Sequence, residues 1–245
     1  MNVPVRDWVT ALGRLSAQLV ASWLCVIAAL VGMGTLLTGP AQDEWPLTEE
    51  DELNQALAAG RTPTWDDVSH WWSMAGDTFT IIIGCLIVGI VLRLALHRWR
   101  EAIFVNAAVV GAVVVMVTTS LFIDRERPDV EQLDVAPATS SFPSGHTGAS
   151  LALYVSVALV VLWHVRRRWL AWLTAIVLLA VPVLVAYARL YRGMHHPSDL
   201  IGALVNASAC LTIAWALVLR RARLPEDRAR STRRIDAGRD VRVSA

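Results

Sequence analysis

Long apolar stretches alternate with short polar ones along the chain. The windows 17–38, 77–97, 102–123, 146–165, 169–188 and 199–219 are each apolar over about the 20 residues that cross a hydrocarbon core. This pattern predicts an all-α fold, a six-transmembrane helix bundle formed by residues 1–220. Asp77 starts the second window, and Ser198 and Asp199 open the last, so these polar residues fall at ends, where water is near. The first window runs on past the length of a signal-peptide core without a small-residue cleavage site, so it reads as a retained anchor.

Composition supports the same class. The chain is 55% hydrophobic and only 18% charged, which excludes an ordinary soluble protein. All 22 basic residues are arginine. They cluster at Arg6 and Arg14, at Arg93, Arg98 and Arg100, at Arg166 to Arg168, and from Arg220 to Arg242, in alternate loops. The positive-inside rule then predicts cytoplasmic termini, with the other loops facing out from a cell plasma (inner) membrane.

The first outer loop, 39–76, is acidic (Asp43, Glu44, Glu49, Glu50, Asp51, Glu52, Asp66, Asp67) against a single Arg61, and Trp45, Trp65, Trp71 and Trp72 suit surface helices in it. It reads as a solvated loop without a function of its own. The basic tail, 221–245, reads as a disordered cytoplasmic segment that touches anionic lipid, not nucleic acid. Cys25, Cys85 and Cys210 fall in three different spans and read as packing residues.

Chemistry-bearing residues gather in the other two outer loops. Residues 124–150 and 188–199 bring Arg125, Arg127, His146, Arg189, Arg192, His195, His196 and Asp199 to one side of the membrane. Arginines opposite histidines suggest an anionic substrate, and the planar guanidinium matches phosphate oxygens. Pro143-Ser144-Gly145-His146 precedes an apolar run, so Ser144, Gly145 and His146 should offer amides at a helix N-terminus, a favourable place for an anion.

Pro197 suits the first turn of the last helix, with His195 just outside it and Asp199 close enough to reach back. A carboxylate that holds one imidazole nitrogen leaves the other free to attack. His146 could protonate the departing oxygen, and the arginines could hold the transferring group. Phosphoryl transfer through a phosphohistidine needs no metal or cofactor, and the acids of the first loop have no ligand spacing.

These residues resemble the type 2 phosphatidic acid phosphatase superfamily, whose three motifs are K-x-x-x-x-x-x-R-P, P-S-G-H and S-R-x-x-x-x-x-H-x-x-x-D. The second stands intact as Pro143 to His146, and the third matches as Arg189, His195 and Asp199 with Ala188 in place of its serine. The first keeps Arg127-Pro128 but has Ser120 at the lysine position. The resemblance implies that His195 is the phosphorylated nucleophile, Asp199 its orienting carboxylate and His146 the general acid. It also implies a phosphate clamp of Arg127 and Arg189 aided by Ser144 and Gly145, with Arg125 or Arg192 replacing the missing lysine. The implied function is hydrolysis of a lipid phosphate or diphosphate at the outer face: phosphatidate, phosphatidylglycerophosphate or a polyprenyl diphosphate. The alternatives are a lipid phosphotransferase and a catalytically weakened lipid-binding protein of the same fold. The sequence carries no reading of oligomeric state.

Overall fold

A computed structural model describes residues 5–42, 44–136 and 138–221. Eight α-helices follow in order: α1 (Val5–Leu37), α2 (Glu50–Ala59), α3 (Pro63–Met74), α4 (Thr78–Leu96), α5 (Arg100–Ser120), α6 (Gly145–His164), α7 (Arg168–Tyr191) and α8 (Pro197–Ala214). A 3-10 turn, Leu47–Glu49, leads into α2, and α8 runs on as a π-helical segment, Trp215–Arg221. Six of these helices are long and apolar enough to cross a membrane: α1, α4, α5, α6, α7 and the extended α8. The chain is a multi-pass membrane protein.

The six windows read from hydropathy match these helices closely except at the first, where α1 begins at Val5 and not near residue 17. Arg6 and Arg14 are good helix formers and Asp7 sits in the first turn of α1, where an acid is favourable, so these charges lower the local hydropathy without ending the helix. The basic tail of the sequence reading lies outside the described residues beyond Arg221.

Local chemistry sets the helix starts. Asp77 caps α4, its Oδ2 accepting the Phe79 N–H at 2.9 Å, and Thr62 caps α3, its Oγ1 accepting the Trp65 N–H at 3.3 Å. Pro63 and Pro197 occupy the first turns of α3 and α8, where a missing N–H costs nothing.

Helix α5 is the centre of the bundle, packed against α1, α4, α6 and α8. Phe104, Val105, Ala108, Ala112 and Val115 are buried along it. Asn206 of α8 donates from Nδ2 to the Ala112 carbonyl at 2.8 Å, a polar tie between two apolar helices. Helix α4 has one buried residue, Ile81, and turns Phe79, Ile83, Leu86 and Ile90 outward, as an apolar helix facing lipid does.

Helices α2 and α3 fall within segment 39–76, and their residues pack on the bundle. Helix α3 packs on α7. The Tyr191 hydroxyl donates to Asp66 Oδ1 at 3.0 Å and accepts the Thr62 N–H at 3.1 Å, while the Trp72 ring meets Tyr187 edge-on. The acids of this segment are paired partly with α7 and α8, a tertiary fact that a one-dimensional charge count does not contain.

Candidate active site

The first turn of α6, the last turn of α7, the first turn of α8 and the 121–144 connection meet at one end of the bundle. Two glycines shape this meeting. Gly193, after α7, has φ +68, and a Cβ there would come within 2.9 Å of the Glu131 carbonyl oxygen. A side chain is disfavoured on both counts, and the tight turn delivers Met194 and His195 to the site. Gly202 on α8 lies under the Phe142 ring, where a Cβ would come within 2.3 Å of Cε2. That close approach presses the stretch before His146 against α8.

His195 is buried, 4% exposed, in the short link between α7 and α8. Its Nδ1 lies 3.5 Å from Asp199 Oδ2 and 3.3 Å from Ser141 Oγ, and the Ser141 hydroxyl itself donates to Asp199 Oδ2 at 2.5 Å. Because the serine proton points at the carboxylate, the hydrogen-bond network assigns the imidazole proton to Nδ1. Nε2 is left with its lone pair. Burial lowers the His195 pKa; Asp199 opposes that effect, while Arg189 and Arg127 reinforce it, so the ring is neutral at rest.

Asp199 is fully buried and saturated. Oδ2 also accepts the His196 N–H at 2.8 Å, and Oδ1 accepts from Arg125 Nη1 at 2.6 Å. The carboxylate therefore cannot turn away from His195 without breaking several bonds at once.

His146 stands on the first turn of α6 and lines the same cavity as His195, Arg127 and Arg189. Arg127 is tied to the residue before His195, its Nη1 donating to the Met194 carbonyl at 2.7 Å. Burial lowers its pKa and Asp199 opposes the shift. Arg189, 3% exposed, donates from Nη1 to Ser73 Oγ at 2.8 Å and to Asp134 Oδ2 at 2.6 Å. Its Nε is buried with no hydrogen-bond partner among the described residues.

Gly145 lines the cavity, and its amide, at the start of α6, has no intrahelical acceptor. Ser144 is placed differently from the sequence expectation. Its N–H donates to the Asp199 carbonyl at 3.2 Å and its Oγ to Thr147 Oγ1 at 3.0 Å, so it fastens α6 to α8 and does not line the cavity.

Arg125 also departs from expectation. Its guanidinium is divided among Glu50, Ser198 and Asp199, away from the cavity wall, so it braces the carboxylate and does not restore a clamp charge. Arg192 is held by Asp66, Ser69, Leu133 and Asp134, and likewise does not line the cavity. Ser120 at the lysine position donates to its own helix, at the Val117 carbonyl. The cationic wall consists of Arg127 and Arg189.

Three residues that bond the candidate site residues were not singled out by the sequence: Ser141, Asp134 and Glu50. Asp134 bonds Arg189 and Arg192 together; burial raises its pKa, but the two guanidiniums outweigh that and hold it below the usual carboxylate range. Ser141 lies just ahead of the Pro143–His146 motif, and only the fold shows that its hydroxyl reaches Asp199. Among the described residues no group of three or more His, Cys, Asp and Glu side chains is arranged to hold a metal.

With the six-span bundle and this histidine, arginine and carboxylate cluster in place, sequence comparison identifies the class. Residues 101–223 match the PAP2 superfamily, and the chain belongs to that family. Among curated proteins it is 26% identical over 180 residues to the Escherichia coli (strain K12) protein named "Putative undecaprenyl-diphosphatase YbjG", covering 67% of this chain and 84% of that one. The fold is shared with a transmembrane PAP2-type phosphatidylglycerolphosphate phosphatase from Bacillus subtilis: TM-score 0.70, 19% identity, 80% of this chain and 98% of that one. It is also shared with Aquifex aeolicus LpxE: TM-score 0.53, 21% identity, 66% of this chain and 92% of the other.

Proposed function

We propose that this protein is an integral membrane phosphatase that hydrolyses a lipid phosphate or diphosphate through a phosphohistidine on His195, without a metal ion. The observation that carries the reading is the shape of the cavity. It encloses about 690 Å³ and joins the polar end, with His146, His195, Arg127 and Arg189, to an apolar groove between α4 and α5 lined by Ile81, Ile82, Val110 and Val113. The α5 residues along the groove, from Asn106 to Met116, span about 15 Å at 1.5 Å per residue, enough for much of a lipid tail. A head group at the arginines with its tail in the groove is the pose of an amphiphile entering from the bilayer side.

The chemistry follows from the donors present. Nε2 of neutral His195 attacks phosphorus, so that a P–N bond forms as the bond to the leaving oxygen breaks. His146 gives its proton to that oxygen. Arg127 and Arg189, with the Gly145 amide, hold the non-bridging oxygens as charge redistributes. Water then attacks the phosphohistidine, and His146 takes the proton from it. The P–N bond breaks, inorganic phosphate leaves and both histidines return to their starting states. By the arginine distribution the site faces outward, with cytoplasmic termini.

Purified protein in detergent, given phosphatidate, phosphatidylglycerophosphate and a polyprenyl diphosphate with and without EDTA, tests this. Phosphate release that survives EDTA is expected for at least one lipid. Failure to release phosphate from any of the three contradicts the reading, and a phosphorylated alcohol in place of inorganic phosphate would mark a transferase.

A further inference from the structure

Glu50 lies far from the family motifs, in a segment that precedes residues 101–223, and it begins the extramembrane helix α2. An acidic residue in the first turn of such a helix would ordinarily face water. Glu50 is instead 7% exposed. Its Oε1 accepts the Ser198 N–H at 2.7 Å, while Oε2 accepts from Ser198 Oγ at 2.9 Å and from Arg125 Nη2 at 2.8 Å. Arg125 Nη1 in turn donates to Ser198 Oγ and to Asp199 Oδ1, both at 2.6 Å.

The result is an alternating chain of charge, Glu50 to Arg125 to Asp199, that ends at the carboxylate beside His195. It also supplies the start of α8 with an acceptor for the Ser198 amide, which has no intrahelical partner at that position. Without Glu50, the Arg125 guanidinium would have one buried carboxylate in place of two, and the Ser198 N–H would be orphaned where water cannot replace the bond. Both losses fall on the turn that carries Asp199.

We propose that Glu50 is a positioning residue for the phosphoryl-transfer site: through Arg125 and Ser198 it fixes Asp199, and through Asp199 the attacking ring of His195. Glu50 does not line the cavity and touches no reacting atom. The inference rests on the reading of His195 as nucleophile and Asp199 as its orienting partner. It makes α2, outside the matched family segment, a working part of the active site.

The test compares full-length wild type, Glu50→Gln, Arg125→Gln, the double variant, and Glu52→Gln as a control on the exposed side of the same helix. Two probes are used, phosphatidate in detergent micelles for turnover and orthovanadate for binding, the latter also counting competent sites so that partly unfolded protein is not mistaken for slow protein. Glu50→Gln is expected to lower kcat per competent site about 10- to 100-fold with KM within about twofold, since small misplacements act on the transition state more than on binding. The double variant should be no more than about threefold slower than Arg125→Gln alone, because residues acting as one unit are not additive. Glu52→Gln should match wild type.

An unchanged kcat in Glu50→Gln, a loss confined to KM, or effects that multiply in the double variant would overturn the proposal. A wild type that binds vanadate but releases no phosphate overturns the substrate reading instead. The inference is then decided on vanadate affinity, expected to be about tenfold weaker in Glu50→Gln and overturned by equal affinity.

Discussion

Asp134 holds Arg189 in an ion pair at 2.6 Å inside the cavity, on the same guanidinium proposed to grip the substrate phosphate. Its other oxygen lies 2.8 Å from Arg192. A carboxylate there aligns Arg189 but also offsets its charge, so an arriving phosphate meets a partly neutralised clamp.

Asp134→Asn keeps an acceptor for one guanidinium and removes the negative charge. Inorganic phosphate should therefore inhibit the variant about tenfold more tightly than wild type, in keeping with the strength of a nearby half-buried charge. Competitive inhibition by phosphate measures this; weaker inhibition would show that alignment of Arg189 outweighs neutralisation.

His195 is the proposed nucleophile, and its loss should be felt most. His195→Ala should lower kcat by about 10⁴-fold or more, and Asp199→Asn, which keeps the shape but loses the charge that orients the ring, by about 10²- to 10⁴-fold. Phosphate release at saturating lipid is the readout. Activity of His195→Ala near that of wild type would move the chemistry elsewhere.

The pH dependence has a definite sign. His195 must be neutral to attack, and burial holds its pKa below the ordinary 6.5, with Arg189 and Arg127 adding to the effect and Asp199 opposing it. Activity should fall as pH drops through this pKa, so the acid limb of kcat/KM has its midpoint below 6.5, while loss at high pH reports His146, which must carry a proton to act as the acid. In Asp199→Asn the opposing contribution is gone and the midpoint moves lower still. An acid limb centred above 6.5 in wild type contradicts the assignment.

The groove between α4 and α5 has its own signature. Val113→Trp would fill it while leaving His195 and the arginines untouched. Each buried methylene is worth about 0.8 kcal/mol, so loss of contact with two or three of them should raise KM for a long-chain lipid phosphate about 10- to 50-fold. A short-chain, water-soluble phosphate should be unaffected. Equal changes for both substrates would place the tail elsewhere.

The spans were legible because membrane crossing is written in hydropathy alone, and α4 to α8 begin and end close to where the apolar windows do. His195, Asp199, His146, Arg127 and Arg189 were legible because local motifs carry them, and the fold brings them together. Arg125 was visible but its direction was not: whether an arginine faces phosphate or carboxylate depends on Glu50, more than seventy residues away in the chain. Glu50 itself was one acid among many in segment 39–76, and nothing local distinguishes a carboxylate that will be buried from one that will be solvated. Asp134 and Ser141 share that difficulty, since their partners come from other helices.

Trapping the phosphoryl group on the protein decides whether His195 is the nucleophile. Wild type mixed with lipid substrate carrying labelled phosphate, quenched within the first turnover under alkaline conditions and digested, should yield label on the peptide containing His195 and none in His195→Ala. Label on a different residue, or steady hydrolysis with no labelled protein at any quench time, would contradict a phosphohistidine mechanism at His195.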